Sequence, residues 1–209
     1  MDKHEWRKQE KEIYLPKQKP TLLTIPRFKY VTISGKGNPN DPDFAEYIGA
    51  LYSISYGIKM TAKMKGPTPP GHYDYTVYPL EGVWDITDEV KKNFSGQINK
   101  DDLVFDLMLR QPDFVTTDYF ETIREIVQKK KPSPLLKETN FREIEEGPCI
   151  QMLHVGPYDN EPETFSVMEE FAAEAGVTRR SKVHREIYIS DFRRTAPEKL
   201  KTVLRFQID

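Results

Sequence analysis

Apolar and polar residues alternate along Phe28–Gly35 (FKYVTISG), the period of a half-buried strand. A turn cluster, Gly35-Lys36-Gly37-Asn38-Pro39-Asn40, follows it. Asp41-Pro42 then reads as an N-cap and first helical residue, because the carboxylate accepts free amide N–H groups and proline loses no needed donor there. Phe44, Tyr47, Ile48, Leu51 and Ile58 continue at helical spacing until Gly66-Pro67 ends the run. Strands are expected at about Tyr73–Tyr78 and Leu103–Arg110, which makes the first half β-α-β-β.

The second half repeats this order. Ile150–Val155 reads as a strand, and Gly156–Pro162 as a turn. A helix carrying Phe165, Met168, Phe171, Ala172 and Ala175 stops at Gly176, a residue suited to the left-handed C′ position. Strands follow at about His184–Ser190 and Lys201–Ile208. Phe44 aligns with Phe165 and His72 with His184, which suggests duplication of one unit. Between the halves, Thr117 or Asp118 caps a helix with an inner stripe of Phe120, Ile123 and Val127. It ends in Lys129-Lys130-Lys131, where cations suit the dipole, and Pro132-Ser133-Pro134 breaks it. The expected organisation is a polar arm at 1–20, then modules at about 21–115 and 141–209 joined by a linker helix at about 116–131. The expected fold class is α+β, with tandem strand-helix-strand-strand modules related by a pseudo-twofold axis and an antiparallel sheet.

Composition narrows the function. The 209 residues hold 31 Lys+Arg against 33 Asp+Glu, a net charge of −2. That balance gives no broad positive field, so direct nucleic-acid binding is not expected. One cysteine, Cys149, excludes an internal disulfide framework; in the setting Pro148-Cys149-Ile150 it reads as a buried structural thiol. The charged N-terminus carries no signal region and no apolar run reaches a membrane span, so a soluble cytoplasmic protein without a membrane partner is expected. The four histidines lack metal-ligand spacing, and no dinucleotide fingerprint, phosphate loop or nucleophile elbow occurs; neither a metal nor a cofactor is expected.

Candidate chemistry lies on the strand His184-Arg185-Glu186-Ile187-Tyr188-Ile189-Ser190. Period two sends Ile187 and Ile189 to one face, expected to pack under a helix. His184, Glu186, Tyr188 and Ser190 share the other, which places an acid between a histidine and a tyrosine. On the matching strand His72, Asp74, Thr76 and Tyr78 share a face. If a pseudo-twofold axis relates the halves, these faces line one central groove. A carboxylate walled by aromatic rings can pair with a cationic or polar ligand, or act as a general base on water. A solvated sheet face is the alternative. Trp84 and Phe114 read either as core or as groove-lining residues. Tyr56, one turn from Tyr52, is a further ligand-binding candidate beside a packing role, and Glu81 is a reserve carboxylate.

The stretches His184–Asp191 and Arg193–Arg205, with Tyr78–Trp84 and Arg110–Val115, resemble the stand-alone GyrI-like proteins over roughly residues 20–209. These are small-molecule-binding domains related to effector domains of multidrug-responsive regulators. The resemblance implies a central ligand groove with a buried glutamate, matched here by Glu186, and aromatic surroundings, matched by Trp84, Tyr188 and Phe114. Some stand-alone members resemble hydrolases that open strained cyclopropane rings of electrophilic natural products. On that expectation Glu186 and Tyr188 are catalytic, and Trp84, Phe114, His184, Tyr56 and Glu81 bind ligand. The expected partner is a small hydrophobic or cationic molecule, and the expected role is xenobiotic detoxification, or non-catalytic drug binding and sensing. No helix-turn-helix domain is expected within the 209 residues, a departure from the regulators.

Overall fold

The computed structural model describes residues 3–64, 66–93 and 99–209. Its helices are α1 (Trp6–Gln9), α2 (Lys11–Tyr14), α3 (Phe44–Lys63), α4 (Asp88–Lys92), α5 (Thr117–Lys130), α6 (Leu135–Glu138) and α7 (Glu161–Glu174). Its strands are β1 (Thr21–Ile25), β2 (Phe28–Lys36), β3 (Leu80–Ile86), β4 (Leu103–Gln111), β5 (Asn140–Ile144), β6 (Gly147–Val155), β7 (His184–Tyr188) and β8 (Lys201–Gln207). The ladders are antiparallel and the class is α+β. No helix among the described residues is long and apolar enough to cross a membrane.

The chain forms two compact units. The first gathers residues 1–5, 28–78 and 85–144. Its strands run β4-β2-β5, with Val31 opposite Leu109 and Ile33 opposite Leu107. Leu51, Ile54 and Ile58 of α3 and Phe120 and Ile123 of α5 are buried. Gly57 lets the two helices approach, because a Cβ there would lie 2.8 Å from Ile123 and Val127 methyls. The α3 entrance differs from the expected cap. Phe44, Ala45 and Glu46 donate to the carbonyls of Asp41, Pro42 and Asp43, so Asp41-Pro42 opens a tight 3₁₀-type turn that relaxes into the α-helix. The α5 cap is Thr116, whose hydroxyl accepts the Tyr119 amide, one residue before the expected position.

Tyr73–Tyr78 forms no regular strand. It bridges His4 through Asp74 and Thr76, and the Tyr75 carbonyl is taken by Lys59 Nζ. The strand that pairs with β7 is β3, beginning at Leu80. The aromatic alternation of 73–78 was a misleading strand signal, because its rings fill a cluster around Phe114.

The second unit gathers residues 6–27, 79–84 and 145–209, with strands in the order β1-β6-β8-β7-β3. On one face Met168 and Ala172 of α7 pack with Ile150, Leu204 and Phe206. The helix closes as expected at Gly176 (φ +70°), where Gly176 N–H and Val177 N–H donate to the Ala173 and Ala172 carbonyls. The other face is charged and buried. Arg185 donates to Glu81 at 2.8 Å and lies 2.9 Å from Glu146; Arg205 donates to Glu146 at 2.8 Å and to Gln151. Residues 6–15 cover this network. Tyr14 is buried, its hydroxyl reaches Glu81, and the Glu12 and Ile13 carbonyls accept from Gln151 and Arg205.

Candidate functional site

Glu186 sits on β7 in the second unit. Residues directly opposite in an antiparallel pair point to the same side of the sheet. Glu186 faces Leu204, so it shares the α7 side, while Arg185, facing Arg205, lies on the side covered by residues 6–15. α7 thus lies on the Glu186 side, while the isoleucine side is the one that residues 6–15, with α1 and α2, cover. The start of α7 lies on the same side as the acid: Phe165 meets the His184 ring edge-on at 4.7 Å, and the Glu186 charge is among the causes, after burial, that raise the carboxyl of Glu161. The alternation of His184-Arg185-Glu186-Ile187 was legible, but both faces of β7 are covered, one by apolar packing and one by ion pairs.

A chain of hydrogen bonds holds the carboxyl. Trp84 donates its indole N–H to Tyr188 Oη at 2.8 Å, and Tyr188 donates its O–H to Glu186 Oε2 at 2.8 Å. His184 Nε2 lies 3.1 Å from Glu186 Oε1, and its Nδ1 lies 3.2 Å from the Lys182 carbonyl. Trp84 stands opposite His184 on β3, and Gly82 opposite Glu186. Trp84 thus bonds diagonally, past the Gly82–Glu186 pair, to a phenol four residues beyond its own partner on β7. The Glu186 side chain keeps 12 % of its surface accessible and His184 keeps 21 %, so neither side chain is fully sealed. Tyr158 meets the Tyr188 ring edge-on at 6.1 Å.

This setting controls protons. Burial pushes the Tyr188 hydroxyl well above the usual tyrosine range, and the Glu186 charge adds to it, so Tyr188 remains a hydrogen-bond donor. The same two causes raise Tyr158 to about 12. Burial first, then Glu186, raises Glu161 well above the ordinary carboxylate range. The cluster thus places one carboxyl among proton-bearing neighbours and aromatic rings, a site suited to orienting a polar group or a water beside an apolar ligand.

A family model described as the GyrI-like small molecule binding domain matches residues 18–209. The chain belongs to the GyrI-like family. A crystal structure of a hydrolase from Listeria innocua is 35 % identical to this GyrI-like chain, with a TM-score of 0.88, covering 99 % of this chain and all of the other. An uncharacterized conserved protein from the same organism is 36 % identical, also with a TM-score of 0.88, and covers 99 % of this chain and all of its own. The C-terminal domain of EcmrR shares the fold at 15 % identity and a TM-score of 0.51, over 91 % of this chain and 97 % of that one. No curated protein matches the chain.

In this GyrI-like protein the structure brings Trp84, Tyr188, Glu186 and His184 together. Glu81 lies instead on the charged face, where burial raises its carboxyl against the pull of Arg185 and Arg205. Burial also acts on Glu146, but the two arginines outweigh it and hold that carboxyl low. Phe114 belongs to the first unit, with ring contacts to His72 at 4.9 Å and Tyr73 at 5.3 Å. Tyr56 is also in the first unit, 51 % exposed on α3 beside Tyr52. Cys149 is buried and its thiol is raised to about 12 by burial, as befits a structural residue. Among the described residues no group of three or more His, Cys, Asp or Glu could hold a metal ion. Sequence reading missed Glu161. An acid opening a helix reads as a dipole partner, and nothing in the pattern ties it to a strand 25 residues later.

Proposed function

We propose that this GyrI-like protein is a cofactor-free hydrolase of strained, hydrophobic electrophiles such as cyclopropane-bearing compounds, with Glu186 as general base. The observation that carries this reading is the carboxyl of Glu186, on a side chain that keeps 12 % of its surface accessible, held by Tyr188 and His184 within an aromatic surround. The indole-to-phenol hydrogen bond joins Trp84 and Tyr188 edge to edge, so a flat ligand lies against their faces rather than between them. Glu186 takes a proton from a water, whose oxygen forms a bond to the ring carbon. The strained C–C bond breaks, and its electron pair moves into the conjugated carbonyl, whose oxygen is stabilised and protonated by the Tyr188 hydroxyl. Tyr188 then recovers its proton from Glu186. General-base assistance contributes roughly 10²–10⁴-fold, and release of ring strain lowers the remaining barrier.

The test is turnover of a cyclopropane-containing alkylator followed by mass. Wild type is expected to produce the water adduct, and Glu186→Gln to lose it by about 10²–10⁴-fold. Equal turnover by both proteins would sink the assignment. A second reading, retention of lipophilic cations without turnover in the cytoplasm, is favoured by the acid's aromatic neighbours Trp84, Tyr158, Phe165 and Tyr188. Saturable binding with no product from either protein selects it.

A further inference from the structure

Glu46, Gly49, Ser53, Tyr56, Met60 and Lys63 of α3 recur alternately three and four residues apart, the spacing of a coiled-coil seam. They lie away from the stripe of Leu51, Ile54 and Ile58 that is buried in the first unit. Ser53 is half-buried and the other five are exposed, with 51 % of Tyr56 and 41 % of Met60 accessible. A solvated helix face is normally polar. Here the charges stand only at the two ends of the seam, and an aromatic ring and a thioether lie open between them.

Two glycines of this helix differ in what explains them. Gly57 admits the Ile123 and Val127 methyls of α5. A Cβ at Gly49 would meet nothing within 4 Å. Glycine inside a helix destabilises it relative to alanine, and no contact among the described residues requires it at this position.

Read backwards, the seam complements itself. About the midpoint between Ile54 and Ser55, Glu46 mirrors Lys63, Gly49 mirrors Met60, and Ser53 mirrors Tyr56. Each mirrored pair joins an acid to a base or a small residue to a large one. A parallel alignment would set every residue against its own kind, glutamate on glutamate and lysine on lysine. Antiparallel helices also place the positive end of each dipole beside the negative end of the other. Exposed Asp41 and Asp43, just before α3, add to the acidic end.

We propose that the outer face of α3 is a self-association surface, on which a second copy of this chain lays its own α3 antiparallel across a two-fold axis. Glu46 meets the partner's Lys63, Gly49 receives the partner's Met60, and Ser53 receives the partner's Tyr56. The contact is isologous, so each pairing occurs twice. One helix face is a small interface, so the dimer is reversible and forms as concentration rises. The proposal stands apart from the hydrolase reading and uses none of the residues around Glu186.

Sedimentation equilibrium of the full chain at low salt tests it. The average mass of wild type should rise from one chain towards two between about 1 and 200 µM, the range of small interfaces. Glu46→Lys and Lys63→Glu each set like charges across the seam and should each weaken association about tenfold. The double variant Glu46→Lys/Lys63→Glu reverses both ends and should return association towards wild type. Gly49→Leu fills the space meant for the partner's methionine. It should abolish association while raising the Tm of the single chain, because leucine is the better helix former. These positions are exposed, and far-ultraviolet circular dichroism checks that each variant is folded.

One chain at every concentration overturns the proposal and leaves the seam to an occupant other than this protein. Dimers that withstand Gly49→Leu and both single charge variants lie on another surface and overturn it as well. Failure of the double variant to recover rules out the antiparallel register. Turnover is a readout of no arm, so failure of the hydrolase reading and failure of this one are separate results.

Discussion

Gly82 stands directly across the β3–β7 pair from Glu186, so the strand that carries Trp84 sets no side chain against the carboxyl. Trp84 donates to Tyr188, two residues further along β7 than Glu186, so this hydrogen bond spans the Gly82–Glu186 pair. Gly82→Val should force the indole aside. The expected cost is about 1–3 kcal/mol, the range for overpacking. In a Trp6→Phe background, where Trp84 is the remaining tryptophan, its fluorescence should shift to the red as the N–H turns to water. An unshifted spectrum with wild-type stability would show that the indole does not depend on the glycine.

Tyr188→Phe removes an acceptor and a donor together. Trp84 Nε1 loses its partner while remaining largely buried, and Glu186 Oε2 loses its phenol. A buried donor left unsatisfied costs roughly 1–3 kcal/mol. Urea titration should report that loss, with slowed ring opening beside it. Full stability would mean that water replaces the phenol.

Stability should depend on pH through Glu161. Its carboxyl is raised in the folded protein, chiefly by burial and then by Glu186, from an ordinary value of 4.5. The folded state therefore holds this proton more tightly than the unfolded chain. Its stabilising contribution is complete below the ordinary value and is lost as pH rises through the raised one. Glu161→Gln has no such proton to lose. The Tm of this variant minus that of wild type should grow from acidic to alkaline pH, and a flat difference would contradict the raised carboxyl.

The buried arginines and the exposed ones should behave differently. Arg185→Met leaves Glu81 and Glu146 without a shared cation inside the second unit, and breaking a buried ion pair from one side costs about 3–5 kcal/mol. Arg193, exposed beside Asp191, should cost no more than about 1 kcal/mol when changed to Met. Thermal denaturation of the two variants makes the comparison.

Gly176 closes α7 with a φ of +70°. Gly176→Ala imposes a Cβ on a left-handed backbone and should lower stability by about 1 kcal/mol. No effect would imply that the helix end rearranges at no cost.

Local periodicity carried most of the elements. The helices around Leu51 and Met168 and the β2, β4, β6 and β8 strands stand where apolar spacing puts them. Tyr73–Tyr78 misled because its alternating rings answer to Phe114 rather than to a neighbouring strand. The clustering of Glu186 with Tyr188 and His184 was readable, since all three lie two residues apart on one strand. Trp84 joined them through strand pairing, for which the family resemblance and not the pattern was the guide. Glu161 and the arginine network were not readable. Each depends on which helix or segment lands on which face of β7, and period two assigns faces without saying what covers them.

The stretch over the arginines bears on where this molecule can be cut. The family's matched region begins at residue 18, yet Tyr14 and the carbonyls of Glu12 and Ile13 are partners of Glu81, Gln151 and Arg205. A version trimmed to that boundary would bare charged groups that the longer chain keeps dry, and would expose the underside of the strand bearing Glu186. The leading residues are thus a roof for the domain's interior, and shortening them should yield aggregation before it yields a smaller working protein.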